Sequence, residues 1–306
     1  MNLVFIVGTG RCGSSLIHEV LARHEDVGFI SNVEDNLPLL NLSGKWNNPL
    51  FRNLPSRWTA KGRIRFAPSE AYRLISRNVS TIYASPCRDL EADDVTPWLQ
   101  GKFQNFFNER YVSQGKEFFI HKYTGWPRLG FFSKIFPEAK FIHVIRDGRA
   151  VANSWLQMPW WDGYRGPENW LWGALPQHYL DEWNAGAQSF PRLAAINWKL
   201  LIDSYERSGR PLGKDKYFLM RYEDFLENPH STLRAAMQFC GLPWSSRFNK
   251  HFEKLALVSD RKNAYERDLA PTQLAEIESS LKDMLIRYGY LTSPSHLQAV
   301  QKNVQG

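Results

Sequence analysis

The amino-acid sequence predicts an α/β fold, a central parallel sheet flanked by helices. Three observations carry the prediction. An apolar run at residues 3–7 ends in a glycine-rich loop and gives way to a helical pattern, the order of a buried strand leading into a crossover helix. The same order returns in "AKFIHVIRDGRAVANSW", with a strand over 140–146 and a helix over 148–157. Elsewhere strand and helix patterns alternate along the chain, which favours a parallel sheet.

Taken in order, residues 3–7 form the first strand, apolar throughout and stopped by glycine. Residues 14–23 form a helix, because Leu16, Val20 and Leu21 share one stripe. Residues 27–30 are a second strand. Residues 36–60 are rich in Asn and Pro and resist assignment. Helices are expected at 72–77 and 96–114, and a short strand at 118–121. After the 140–146 strand and its helix comes the aromatic loop "PWWDGYRGPENWLWG", then one long helix over 179–205. "KYFLMRYEDF" is a strand entering a turn, residues 229–240 are a helix, and 272–287 form a last amphipathic helix closed by Gly289. Without a repeat, a low-complexity tract or a linker, the 306 residues read as a single domain with loop insertions at about 36–60 and 158–178.

With 43% hydrophobic and 23% charged residues the chain is of ordinary globular composition, although twelve tryptophans are many. A net charge of +7 favours an anionic ligand. There is no basic run of five or more residues, so nucleic acid is not an expected partner. Cys12, Cys87 and Cys240 are far apart and form no metal spacing, which suggests a reducing compartment. No apolar run reaches the length of a membrane span. "MNLVFIVG" is too short for a signal-peptide core. A cytoplasmic location is expected.

The loop "GTGRCGSS" supports two readings. As G-x-G-x-x-G (Gly8, Gly10, Gly13) it is a dinucleotide fingerprint, and Glu34 even lies where an acidic ribose ligand would. As G-x-x-x-x-G followed by Ser14 and Ser15 it is a P-loop without its lysine. Either way, backbone N–H groups and a helix N-terminus attract phosphate oxygens, with Arg11 as a fixed charge. A simple tight turn is the plain alternative. The second motif separates the readings. Arg146 stands at a strand end and Ser154 lies on the following helix, which Asp147 can cap. That makes a second anion site, for which a dinucleotide fold has no use; an exposed arginine with a solvated serine is the plain alternative.

With these two motifs in view, the chain resembles the sulfotransferase family, which uses 3′-phosphoadenosine 5′-phosphosulfate. "RCGSS" matches its 5′-phosphosulfate loop, R/K-x-G-[ST]-[ST], and Arg146 with Ser154 matches its 3′-phosphate motif. "FPEAKFIHVIRD" and "RYEDFLENPHSTLRAAMQFCGLPW" resemble the flanking family stretches. The resemblance runs from the first strand to "RYGYL". Arg11 where cytosolic members carry lysine is similar to the tyrosylprotein and carbohydrate branch and to many bacterial members, whereas Cys12 replaces the usual Ser, Thr or Ala.

The resemblance implies a P-loop-like three-layer fold and sulfuryl transfer to a hydroxyl or amine. The acceptor would be a small molecule or carbohydrate, and it could be hydrophobic. No metal is expected, and the oligomeric state is not readable. The donor would be held by Gly10, Arg11, Cys12, Gly13, Ser14 and Ser15, by Arg146 and Ser154, and by Arg261 and Lys262 in "SDRKNAYERDL". Arg11 and Lys122 would stabilise charge on the transferring group. Two residues compete for the base: Glu34 is preferred, with Asp35 beside it, and His121 is the alternative. His143 is expected to be packing. Trp155 reads as core, while Trp160, Trp161 and Tyr164 could wall an acceptor. The rivals are a P-loop kinase of small molecules, which lacks the loop lysine and a Mg²⁺ motif, and a nucleotide-binding scaffold without chemistry.

Overall fold

The computed structural model describes residues 1–53, 66–255 and 263–292. Five parallel strands form one sheet: β1 (Asn2–Val7), β2 (Val27–Gly28), β3 (Phe118–Lys122), β4 (Lys140–Ile145) and β5 (Tyr217–Arg221), in the order β2-β3-β1-β4-β5. Each strand expected from sequence is present, shortened at its carboxyl end in β2 and β4 and lengthened by Lys122 in β3. The helices are α1 (Ser14–Leu21), α2 (Asn32–Asn36), α3 (Asn47–Asn53), α4 (Tyr72–Asn78), α5 (Pro97–Gln114), α6 (Leu129–Ile135), α7 (Gly148–Leu156), α8 (Gln177–Ala185), α9 (Phe190–Gly209), α10 (Tyr222–Glu227), α11 (Pro229–Cys240), α12 (Ser246–Phe252), α13 (Ala264–Asp268) and α14 (Pro271–Arg287).

The described residues group into two compact units, 1–53 and 66–145 with 203–255, and 146–202 with 263–292, the boundary falling within α9. In the first unit the strand period of two divides the core. Leu3, Phe5, Val7, Phe119 and Phe141 face an aromatic-rich layer completed by Phe103 and Phe107 of α5 and Phe131 and Phe132 of α6. Val4, Ile6, Ile120, Ile142 and Val144 face the opposite layer, built from α1, α11 and α12. Helices therefore cover both faces of the sheet, which is why its central strands are apolar on both sides.

In the second unit α7 packs by close approach. A Cβ on Gly148 would meet Leu281 Cδ1 at 2.7 Å and the Trp198 ring at 2.9 Å. The expected single helix over 179–205 is two helices. Ala187 and Gln188 take φ of 52° and 55°, and Ser189 Oγ accepts from the Arg192 N–H at 3.3 Å. Pro191 then sits in the first turn of α9. A serine cap with proline behind it starts a new helix at less cost than continuing the old one. The segment 36–60, unassigned from sequence, holds the end of α2, a 3-10 turn at Pro38–Leu40, and α3.

Candidate active site

The loop from β1 to α1 has the backbone of an anion cradle. Gly10, Arg11 and Gly13 carry φ of 82°, 57° and 91°, so successive N–H groups line a turn rather than pairing in a ladder. For Arg11 this conformation is strained, by about 1–3 kcal/mol, and such strain concentrates at functional sites. Gly8 is required by packing: a Cβ there would stand 2.5 Å from Cys12 Sγ and 2.6 Å from the Val144 carbonyl oxygen. Cys12 is fully buried in that contact, so its thiol fills space beneath the loop. The Tyr222 ring occupies the space a Cβ on Gly13 would need. Ser14 is buried and Ser15 exposed at the first turn of α1, where no acidic residue opposes the positive helix end.

Strand register delivers Lys122 to this loop. Ile6 of β1 pairs with Lys122 of β3, and the bonds continue past the strands, from Tyr123 N to the Ile6 carbonyl at 3.1 Å and from Gly125 N to the Gly8 carbonyl at 2.9 Å. Lys122 Nζ donates to Ser15 Oγ at 2.7 Å and forms a close ion pair with the Glu70 carboxylate. Thr124 Oγ1 donates to the same Glu70 oxygen at 3.2 Å. The Glu70 side chain is 25% exposed and that of Lys122 8%, so the glutamate is the more accessible member of the pair.

Glu70 was not among the sequence candidates. It precedes α4, outside any periodic pattern, and is followed by Ala71 at φ 55°. That strained backbone is the one local mark of the position, and it is invisible in the sequence because alanine rarely adopts it.

The residues preferred from sequence as base lie elsewhere. Glu34 is buried and accepts from the backbone N–H of Ser31 at 2.7 Å and from Ser31 Oγ at 3.0 Å, closing a capping box on α2. It also accepts from Asn47 and faces Arg110 Nε at 3.6 Å. Burial raises its carboxyl above the usual range. Asp35 is committed to Ser69 Oγ and to the backbone N–H groups of Arg73 and Leu74. His121 lies beside Phe5 on the β1–β3 face and packs against Phe107 of α5, is fully buried, and bonds Tyr83 Oη at 2.8 Å. Burial drives its pKa well below the ordinary histidine value. The period of two thus turns His121 into the aromatic layer and Lys122 toward α1. His143 stacks on Tyr205 at 4.0 Å and is held near pKa 3 by burial, a packed histidine.

In the second unit Arg146 is half-buried and follows β4 directly. Asp147 caps α7 through the Arg149 N–H at 2.9 Å and pairs with the Arg149 guanidinium at 2.7 Å, which also reaches Glu278 at 2.8 Å. Ser154 is half-buried on α7. Trp155 and Trp161 are buried, whereas Trp160 and Tyr164 are exposed. Arg261 and Lys262 lie outside the described residues. Among the described residues there is no helix long and apolar enough to cross a membrane, and no cluster of three metal-ligating side chains.

Residues 4–246 match the model of the sulfotransferase family. The chain is 26% identical over 314 residues to omega-hydroxy-beta-dihydromenaquinone-9 sulfotransferase Stf3 of Mycobacterium bovis, covering 94% of this chain and 75% of that protein. It is 24% identical over 253 residues to the protein-tyrosine sulfotransferase of Drosophila melanogaster, covering 83% of this chain and 40% of that protein. The fold is similar to that of sulfotransferase STF9 from Mycobacterium avium, with a TM-score of 0.55 at 14% identity, covering 93% of this chain and 76% of that one. With the anion loop, the parallel sheet and a family match through most of its length, the chain belongs to the sulfotransferase family.

Proposed function

We propose that the chain moves the sulfuryl group of 3′-phosphoadenosine 5′-phosphosulfate to a hydroxyl of a small, largely apolar acceptor. The observation that carries this reading is the Ser15–Lys122–Glu70 cluster against the anion loop. The N–H groups of Gly10 to Ser15 and the Arg11 guanidinium hold the 5′-phosphosulfate. Lys122 neutralises charge as the sulfur–oxygen bond to the 5′-phosphate breaks, the kind of electrostatic stabilisation that usually dominates. Glu70 takes the acceptor proton as the acceptor oxygen bonds to sulfur, and 3′-phosphoadenosine 5′-phosphate leaves. Arg146 and Ser154 bind the 3′-phosphate, a role supported by their family motif; Arg261 and Lys262 are proposed to join them.

Glu70 is preferred to Glu34 and His121 because a base must be within reach of its substrate. Glu34 is enclosed by Ser31, Asn47 and Arg110, and His121 by aromatic rings. An apolar hydroxyl acceptor is supported by the relative named for a hydroxylated menaquinone. Calorimetry tests the donor: 3′-phosphoadenosine 5′-phosphate should bind more tightly than ATP or NAD. Arg146→Ala should weaken it by about 10- to 100-fold, the worth of a charge-assisted contact, and barely affect the analogue without the 3′-phosphate. Equal loss for both nucleotides would remove the 3′-phosphate assignment.

A further inference from the structure

We propose that the loop over residues 37–46 docks the protein on a bilayer surface bearing anionic headgroups. Of the large hydrophobic side chains exposed among the described residues, five fall in these ten positions: Leu37, Leu39, Leu40, Leu42 and Trp46. Leu39 is 72%, Leu40 62% and Trp46 64% exposed. Scattered surface leucines need no explanation, but a contiguous apolar patch marks an interaction site.

The loop is held, not loose, and buried polar groups hold it. Arg110 Nη2 donates to Asn41 Oδ1 at 2.7 Å and to the Leu42 carbonyl at 3.2 Å. Gln114 Nε2 reaches the Ser43 carbonyl at 3.3 Å, and Ser43 bonds Ser113 at 2.7 Å. The Glu34–Arg110 pair lies directly behind these bonds. Desolvating an ion pair is costly. Here that cost fixes a backbone whose leucines and tryptophan point away from the core.

The charge around the patch selects the occupant. Residues 37–53 contain no Asp or Glu, and neither does α4. Exposed Lys45 lies 5.8 Å from the Trp46 ring centroid. The exposed Arg73 of α4 meets Asn36 at 3.4 Å, Asn78 reaches the Pro38 carbonyl at 3.5 Å, and Arg77 is exposed on the same helix. Leucines and tryptophan flanked by Lys45, Arg73 and Arg77, with the Asp35 carboxylate engaged by Ser69 and the first turn of α4, suit the boundary between anionic headgroups and acyl chains.

The full chain should be sedimented with phosphatidylcholine vesicles, with and without phosphatidylglycerol. Association is expected with the anionic vesicles and should weaken as salt is raised. Leu39→Asp with Leu40→Asp should lower the partition coefficient by about tenfold or more, and Trp46→Ala alone by severalfold. Both variants should keep their melting temperature and their affinity for 3′-phosphoadenosine 5′-phosphate, since these side chains are mostly exposed and none belongs to the β1–α1 loop. The readout involves no turnover, so it stands apart from the proposed reaction. A wild-type chain that stays in the supernatant with both vesicles, or folded variants that sediment as well as wild type, would overturn the proposal. So would a dimer in light scattering that the double variant dissolves without any vesicle association, which would assign the patch to a second copy.

Discussion

Two acid–base pairs in the first unit, Glu34–Arg110 and Glu70–Lys122, pose the same chemistry in different surroundings. The side chains of Glu34 and Arg110 are both 1% exposed, and their remaining polar atoms are spent on Ser31, Asn47, Asn41 and the Phe106 and Leu42 carbonyls. Glu70 and Lys122 stand at the carboxyl end of β3, where one hydroxyl, Ser15, ties the lysine to the anion loop. A pair enclosed on all sides can only hold structure. One partly open to solvent beside the β1–α1 turn is free to exchange partners, as the proposed reaction requires. The difference teaches that residue type and order along the chain do not assign a role; enclosure does.

The sharpest break in that comparison is kinetic. Glu70→Gln keeps shape and removes basicity, so turnover should fall by about 10²–10⁴-fold while affinity for 3′-phosphoadenosine 5′-phosphate stays within about twofold. Glu34→Gln, assayed on folded protein, should leave turnover near wild type. The reverse pattern in steady-state kinetics would return the base to Glu34.

Stability should respond the other way round. Arg110→Met leaves a buried carboxyl without its partner and should cost about 3–5 kcal/mol in urea unfolding. Adding Glu34→Gln should recover part of that loss, because the stranded group is then neutral. Lys122→Met should cost clearly less than Arg110→Met, since Glu70 can still be hydrated. Comparable losses at the two sites would mean that enclosure does not separate them.

Buried histidines extend the contrast to pH. Burial holds His18 and His143 near pKa 3, against an ordinary 6.5. The folded chain therefore excludes protons that the unfolded chain takes up. Stability should be full above about pH 6.5 and decline as pH falls toward 3, by up to ~1.4 kcal/mol per pH unit for each histidine. His143→Gln should flatten the decline by about one proton's worth in urea midpoints measured between pH 7.5 and 5. An unchanged slope would show that His143 is protonated in the folded state.

The smallest effect is expected at the surface pair Arg88–Asp94, at 2.8 Å with Arg88 61% exposed. Water screens such a pair, so Arg88→Ala should shift stability by less than about 1 kcal/mol. A larger shift would indicate that its bond to the Asp89 carbonyl anchors the chain entering α5.

Much of this molecule was legible as sequence because the signals are local. An apolar run ending in glycine marks β1, a second one before Arg146–Asp147 marks β4, and the residues proposed to cradle phosphate adjoin one another from Gly10 to Ser15, so spacing alone reveals the loop. Caps and prolines name the helix starts, yet the joint of α8 and α9 at Ser189–Pro191 is masked in the sequence by apolar residues at helical spacing on both sides of it. The proposed base was not legible. Glu70 meets Lys122 across 52 residues, and no periodicity links a residue before α4 to the end of β3. Glu34 and His121 had the right type and plausible places, but the fold turned one into a capping box and the other into an aromatic layer. Backbone conformation and amphipathic period are written in neighbours along the chain; burial, and with it charge state and reach, depends on which distant segments close over a side chain, and that only the tertiary structure decides.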